Sequence, residues 1–421
     1  MNPIRSIKGT HDILPADSQN WQQLEQIVRT VCQRFGYNEI RTPIFEETRL
    51  YSRSVGENTD IVSKEMYSWD DKDGKSITLR PELTASVVRS FIQHNLGGQA
   101  PVQRLYYMGP LFRRERPQKG RQRQFHQFGV EAFGSENPEQ DAEIIAIAWH
   151  ILLECGLNNE ATLHLNSIGS PNCRKAYREA LKNFIRPNLS LFSETSQKRF
   201  ETNPLRILDT KADHEQKMLK DAPKVSDCFS DDDMAHFESV QNFLKVMNIP
   251  FILNEKLVRG LDYYSRTVFE FTSSALGAQD ALLGGGRYDG LVETLGGKAT
   301  PGIGFAAGME RFLIAMAETE VLSRESKIDV YFVCLDEAGL STALSLANKL
   351  RQAGFNVVSD PLRRSLKAQM RDANKSGAKY ALILGETEME TDSIVLKNLE
   401  KSEQETVSQK NILEKLRNLT N

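Results

Sequence analysis

Arg113, Arg114, Arg116, Lys119, Arg121 and Arg123 crowd one short stretch of the chain and are opposed there only by Glu115. They belong to Gly109–Gly134, GPLFRRERPQKGRQRQFHQFGVEAFG. Pro117 and Gly120 interrupt the cationic block, so its middle is expected to be a loop. Behind it, Phe125, Gln127, Gly129 and Glu131 alternate with His126, Phe128, Val130 and Ala132. That period of two predicts a strand with an aromatic ring, an amide and a carboxylate on one face. Guanidinium forks suit phosphate, and the ring, amide and carboxylate suit a small polar molecule. The charge run alone fits a solvated hairpin loop as well. The carboxylate and amide on the face of the ring favour a site.

Further residues of the same kind are scattered along the chain. Glu82 and Thr84 stand at the start of a helix that Pro81 is expected to open. A carboxylate there serves either as a helix-dipole acid or as an acceptor for a substrate ammonium, and local sequence does not separate the two. LVRGLDYY, Leu257–Tyr264, offers Arg259, Tyr263 and Tyr264. ALLGGGRYDGL, Ala281–Leu291, places three glycines after a strand, where backbone can pass close to a ligand. PGIGFAAGMERFLIAMAE, Pro301–Glu318, runs a glycine-studded strand into a helix with Arg311 in its first turns. The glycine run at 284–286 is neither a Walker loop, since it lacks the GKS or GKT ending, nor a GxGxxG fingerprint.

Elements that would hold these residues are legible from spacing. Trp21, Leu24, Val28, Val31 and Phe35 predict an amphipathic helix over 16–35, ended by Gly36. Its apolar stripe suits a dimer element or an internal core helix equally. A strand over 37–41 stops at Pro43. Arg53–Glu65 is turn-rich, and Tyr67–Trp69 with Ser76–Leu79 reads as a hairpin. Strands at 104–108, 162–166, 251–254 and 268–271 and helices at 139–155 and 234–247 follow. Ser170 and Pro171 cap a charged helical segment that runs to about Phe229, broken at 186–196, which reads as an insertion. A polar boundary falls at Leu322–Lys327. Beyond it, alternating strands and helices give a compact α/β unit with Lys349, Arg351, Arg363, Arg364, Lys367, Arg371 and Lys375 on its helices, a candidate RNA footprint.

Composition bounds the class. A length of 421 residues gives two or three domains, and 40% hydrophobic with 26% charged residues is ordinary for a soluble protein. A net charge of −3 leaves nucleic-acid binding to local patches. Cys32, Cys155, Cys173, Cys228 and Cys334 are scattered without a CxxC pair, against structural zinc or a disulfide framework. With neither a signal-like N-terminus nor a membrane-length apolar run, the expected compartment is the cytoplasm and no membrane partner is expected.

Taken together, these stretches resemble the class II aminoacyl-tRNA synthetases, and among them the histidyl-tRNA synthetase family. Phe35–Pro43 resembles motif 1 of the class, Gly109–Gly134 motif 2 and Gly302–Arg311 motif 3. LVRGLDYY and ALLGGGRYDGL resemble the two histidine-specific signatures, and the resemblance spans nearly the whole chain. It implies an α+β fold: a mainly antiparallel catalytic sheet over residues 1–322 with the insertion at about 170–229, then a mixed α/β anticodon-binding domain over 327–421. It implies a homodimer and a two-step reaction with L-histidine, ATP and histidine tRNA. Carried over residue by residue, Glu82, Thr84 and Gln127 accept from the histidine ammonium. Glu131 and Tyr264 face the imidazole, and Tyr263 and Gly284–Gly286 line its pocket. Arg113 and Arg259 face the α-phosphate, as catalytic residues and at the histidine site. Arg121 faces the γ-phosphate, and Phe125 with Arg311 sandwiches adenine. Mg2+ is expected on the ATP phosphates with Glu115 near it.

Two other readings compete. A synthetase-like regulatory subunit of histidine biosynthesis would lack the C-terminal domain and catalytic arginines, whereas Arg113, Arg259, Arg311 and about ninety further residues are present. A synthetase for proline or threonine is opposed by Glu131 together with LVRGLDYY.

Overall fold

The computed structural model describes residues 3–56, 59, 61–117, 121–208, 210, 212–261, 263–276, 280–317, 319, 321–322 and 328–420. Lys119, Gly120, Asp262 and the boundary stretch 323–327 lie outside these. The chain divides into two units, Met1–Leu322 and Ser323–Asn421.

The strands of the first unit, in chain order, are β1 (Asn38–Glu39), β2 (Phe45–Glu47), β3 (Tyr67–Asp70), β4 (Ser76–Leu79), β5 (Gln103–Phe112), β6 (Gln124–Phe133), β7 (Ala161–Ser167), β8 (Ile252–Leu253), β9 (Ser265–Ser273), β10 (Ala281–Arg287) and β11 (Gly302–Gly308). Eight of them form one sheet in the order β1-β5-β6-β11-β10-β9-β7-β8. Its six central strands run antiparallel, and β1 and β8 add parallel edges. A second, small sheet is β2-β4-β3.

Period-two patterning splits β6 between two faces. Phe128, Val130 and Ala132 enter a core beneath the helices Pro15–Arg34, Pro138–Glu154, Asp231–Val246 and Met309–Met316. The opposite face of the sheet carries a second core of Leu83, Val87, Phe91, Tyr107, Tyr264 and Tyr288. The helix Pro15–Arg34 buries Leu24, Val28, Val31 and Cys32 inside its own chain, so its apolar stripe is internal.

Several boundaries differ from expectation. The strand at 37–41 shortens to β1, and the helix Thr48–Val55, not anticipated from the sequence, runs into the start of the stretch read as turns. The helix after Pro81 begins at Thr84, because the Glu82 side chain takes the capping role and accepts from the Ala85 amide at 2.8 Å. The three glycines lie within β10 rather than after it. The insertion begins as read, with the Ser170 hydroxyl accepting from the Cys173 amide, and packs a core of its own.

In the second unit β12 (Val330–Cys334), β13 (Val357–Ser359), β14 (Tyr380–Leu384), β15 (Ser393–Asn398) and β16 (Gln404–Ser408) form a mixed sheet in the order β13-β12-β14-β15-β16. The helix Glu386–Glu390 and β16 were not legible: the helix has only five residues, and β16, QETVS, is almost wholly exposed. The expected RNA footprint is partly engaged within this unit. Arg351 donates to the Val357 carbonyl, Arg363 pairs with Glu337, and Arg364 pairs with Asp360 and Asp372. Lys349, Lys367 and Lys375 are exposed.

Candidate active site

A cleft of about 430 Å3 opens on the second face of the large sheet. Glu82, Thr84, Arg113, Glu115, Arg121, Phe125, Gln127, Glu131, Arg259, Tyr263, Tyr264 and Arg311 all line it. The sheet order explains how residues so far apart in sequence meet. β5 and β6 form a hairpin, β11 pairs with β6, and β10 pairs with β11. Each strand therefore delivers its cleft-side residues within one or two strand spacings of Glu131.

Glu131 is the polar centre of one end. Its Oε1 accepts from the Thr84 hydroxyl at 2.8 Å and the Tyr107 hydroxyl at 3.1 Å, and its Oε2 accepts from Tyr288. A carboxylate offers about four acceptor positions, so three hydroxyls leave one, on Oε2. Burial pushes the Glu131 carboxyl up to about 8, and the hydroxyls of Tyr288, Thr84 and Tyr107 pull the other way. Burial also holds the Tyr107 and Tyr288 phenols well above their ordinary range, which keeps them donors. The carboxylate fits because β11 has no side chain beside it: a Cβ on Gly304 would lie 1.8 Å from Glu131 Oε2.

Glu82 is buried next to this group, and burial raises its carboxyl while the Ala85 amide lowers it. Tyr263 and Tyr264 pack ring to ring with centroids 4.7 Å apart. Arg259 pairs with Glu270 on β9. Burial pulls its guanidinium down and Glu270 more than offsets this, leaving it above the ordinary arginine value. The guanidinium lies over Gly284, where a Cβ would come within 2.4 Å of it. Gly285 and Gly286 instead face backbone of β11 and β9, so of the glycine run only Gly284 lines the cleft. Close strand packing, not ligand approach, accounts for the other two.

The other end is cationic. Arg113 donates to the Pro81 carbonyl at 2.9 Å, and its guanidinium stands 5.2 Å from the Phe125 ring centroid. Glu115 meets Arg121 at 3.3 Å and Arg113 at 3.9 Å. Arg311 donates to the Ala281 carbonyl at 2.7 Å. The Arg113 guanidinium thus stands within cation–π distance of the Phe125 ring. Among the described residues no group of three metal-ligating side chains stands together.

Sequence reasoning missed Tyr107, Tyr288, Glu270 and Arg206. Tyr107 had a signal: the hairpin register sets it opposite Gly129, and its hydroxyl occupies the space that a Cβ there would need. Tyr288 lies inside the quoted glycine signature. Glu270 faces Gly284 across the β9–β10 ladder, which only the sheet order reveals. Arg206 comes from the insertion and had none.

Comparisons with known proteins show the family. Residues 9–312 match the family model described as histidyl-tRNA synthetase, and residues 329–419 match an anticodon binding domain. Histidine–tRNA ligase of Chloroherpeton thalassium is 48% identical over 99% of this chain and 98% of its own length. That of Listeria innocua is 47% identical over 98% and 97%. The crystal structure of histidyl-tRNA synthetase from S. aureus aligns with a TM-score of 0.84 and 38% identity, covering 98% of this chain and 100% of that one.

Proposed function

The chain belongs to the histidyl-tRNA synthetase family, and from that premise we propose how its cleft activates histidine with ATP and passes it to tRNA. The protein is an ATP-dependent histidine–tRNA ligase. In the first step an oxygen of the histidine carboxylate attacks the α-phosphorus of ATP. The bond to the bridging oxygen breaks, pyrophosphate leaves, and histidyl-adenylate forms. In the second step a ribose hydroxyl of the terminal adenosine of tRNA attacks the activated carbonyl, and AMP leaves.

One observation carries the assignment of roles: Glu131 is saturated by three hydroxyls except at one acceptor position. An imidazole N–H fills it, and the Tyr264 hydroxyl meets the ring's other nitrogen. Glu82, Thr84 and Gln127 receive the ammonium, and Tyr263 closes the pocket. Arg259, held by Glu270, and Arg113, held by Pro81, face the α-phosphate, where charge builds in the transition state. Arg121 faces the outer phosphates, and Phe125 and Arg311 hold the adenine. A Mg2+ ion bound to the ATP phosphates would supply further charge neutralisation there. Glu115 would face such an ion, which phosphate and water would carry, since among the described residues no three metal-ligating side chains stand together to build a cage.

The C-terminal unit is the proposed reader of the tRNA anticodon. A homodimer is proposed on different ground from the sequence expectation. The helix Pro15–Arg34 is spent internally, but Ile4, Ile7, Ile13, Leu14, Ile44 and Phe45 are exposed. A cytoplasmic location is supported by five free cysteines, and no described helix is long and apolar enough to cross a membrane. Amino-acid-dependent ATP–pyrophosphate exchange tests the function: histidine alone should support it, and an equal response to proline or threonine would overturn the specificity.

A further inference from the structure

Among the described residues, the insertion between Ser170 and Phe229 reaches the cleft at one point. Its turn Pro204–Ile207 buries Leu205 and Ile207 in the insertion's own core, with Pro204 buried beside them in the chain. The remaining residue of the turn, Arg206, lines the catalytic cleft. Arg199 donates to the Arg206 carbonyl at 3.0 Å, which fixes the turn's backbone.

The insertion is also tied to the signature that carries Arg259. Val258, next to it in sequence, packs against the insertion core. Arg174, in the first turn of the helix Pro171–Ile185, donates to the Tyr264 carbonyl. At the root, the Asp233 carboxylate accepts from the Ser170 amide at 3.1 Å and hydroxyl at 2.9 Å and from the Ser230 hydroxyl at 3.0 Å. Arg266 lies 3.5 Å from the same carboxylate. Arg206 is therefore presented to the cleft by a packed turn on an anchored subdomain, not by a wandering surface chain.

We propose that Arg206 binds a substrate phosphate, making the insertion a working part of the catalytic cleft. Three molecules must enter this cleft in the family's reaction. Histidine presents an ammonium and an imidazole, which need acceptors, and its carboxylate faces Arg259. ATP and the tRNA terminus present phosphate oxygens. A permanently charged planar fork matches those and repels the ammonium. The shared chemistry is a phosphate oxyanion, and its two sources are ATP, with the adenylate it becomes, and the last phosphodiester of the tRNA.

Arg206→Ala and Arg206→Lys in the full chain separate these sources. Three readouts are needed: histidine-dependent ATP–pyrophosphate exchange, single-turnover transfer of histidine from preformed histidyl-adenylate to tRNA, and a thermal melt. An ATP contact predicts that the Ala variant loses about tenfold or more in the exchange, through KM or rate. A tRNA contact predicts exchange within about twofold of wild type, transfer slowed about tenfold, and a shallower salt dependence of tRNA binding. In either case the Lys variant recovers part of the loss and Tm hardly moves. The proposal is overturned if both steps keep wild-type rates. It is equally overturned if both fall together with a drop in Tm that Lys does not reverse, since Arg206 would then only brace the turn.

Discussion

At one end of the cleft Glu131 lies 1% exposed beneath three hydroxyls; at the other, Arg121 is 47% exposed and meets Glu115 at 3.3 Å. The first end is built from strands, and its donors come from β5, from Tyr288 just past the end of β10 and from the start of the helix Thr84–Gln93. The second is built on a loop that leaves β5 and returns in β6. Electrostatics in the first act without intervening water, so each hydrogen bond there counts for more and each missing partner costs more. Charges in the second are screened by salt and individually weak. The buried end is suited to deciding which amino acid enters. The exposed end is suited to drawing in a polyanion whose charge is the same whatever it is attached to. Arg259 stands between them, held by Glu270 and set over Gly284.

The largest effect is expected at that junction. Arg259→Lys keeps the charge and loses the fork that can hold a carboxylate and a phosphate together. Adenylation kcat should fall about 10²-fold or more with smaller changes in KM for ATP and histidine. Transfer from preformed adenylate should be affected much less. Gly284→Ala should imitate this with the arginine intact, because its Cβ would lie 2.4 Å from the guanidinium. Equal loss in both steps, together with a lower Tm, would falsify the transition-state role and leave Arg259 as a brace.

Next comes the buried end itself. Glu131→Gln replaces a group that in its ionised form only accepts by one that always donates, among three hydroxyls arranged to donate. Histidine KM should rise by about 10- to 100-fold, the value of a hydrogen bond to a charged group, while ATP KM changes little. An unchanged histidine KM removes Glu131 from the imidazole pocket.

The same substitution has a stability signature. Burial lifts the Glu131 carboxyl from the model-compound value of 4.5 to about 8. Between those values the folded chain holds a proton that the unfolded chain has released, so this group's contribution is full below about 4.5 and lost as pH rises through 8. Without ligands, Tm of the wild type relative to Glu131→Gln should therefore fall between pH 6 and pH 9. Melts of both proteins at constant ionic strength cancel the other titrations. A difference independent of pH would mean that the three hydroxyls hold the carboxylate ionised throughout.

The contrast between the two ends also explains what could be read from the chain. Alternation in 125–132 was enough to sort Phe125, Gln127 and Glu131 from Phe128, Val130 and Ala132, because a strand's period is local. That Arg259 and Arg311 share a cleft with Glu131 came from the family resemblance and not from spacing. The partners of Glu131 and Arg259 were hidden, since Tyr107, Tyr288 and Glu270 are assigned by strand order and register, which are non-local. The first helix left two readings open for a related reason: an amphipathic stripe states that a face is buried, not which surface buries it, and here the stripe packs inside its own chain. Arg206 was the least legible, since a cation in a charged helical segment looks like any solvated one.

The smallest effect is expected at the exposed end, and it tests the contrast most directly. Arg121→Ala removes a half-exposed partner of Glu115, so Tm should stay within about a degree or two, as for most surface ion pairs. If its work is attraction of the outer phosphates, ATP KM should rise only about 3- to 10-fold, and histidine KM should hold. The distinguishing quantity is the response to salt. Wild-type ATP KM should climb between about 50 and 300 mM salt, because screening weakens exposed charges over about a Debye length. Arg121→Ala has one fewer such charge and should climb less steeply, so the two curves approach each other at high salt. Histidine KM of the Glu131→Gln variant should show no such convergence with wild type, since its lost contact is buried. Parallel ATP curves for wild type and Arg121→Ala would mean that Arg121 does not face the phosphates. Arg121 would then serve only within the protein, where it pairs with Glu115, and the cationic end would rest on Arg113 and Arg311, which donate to backbone carbonyls.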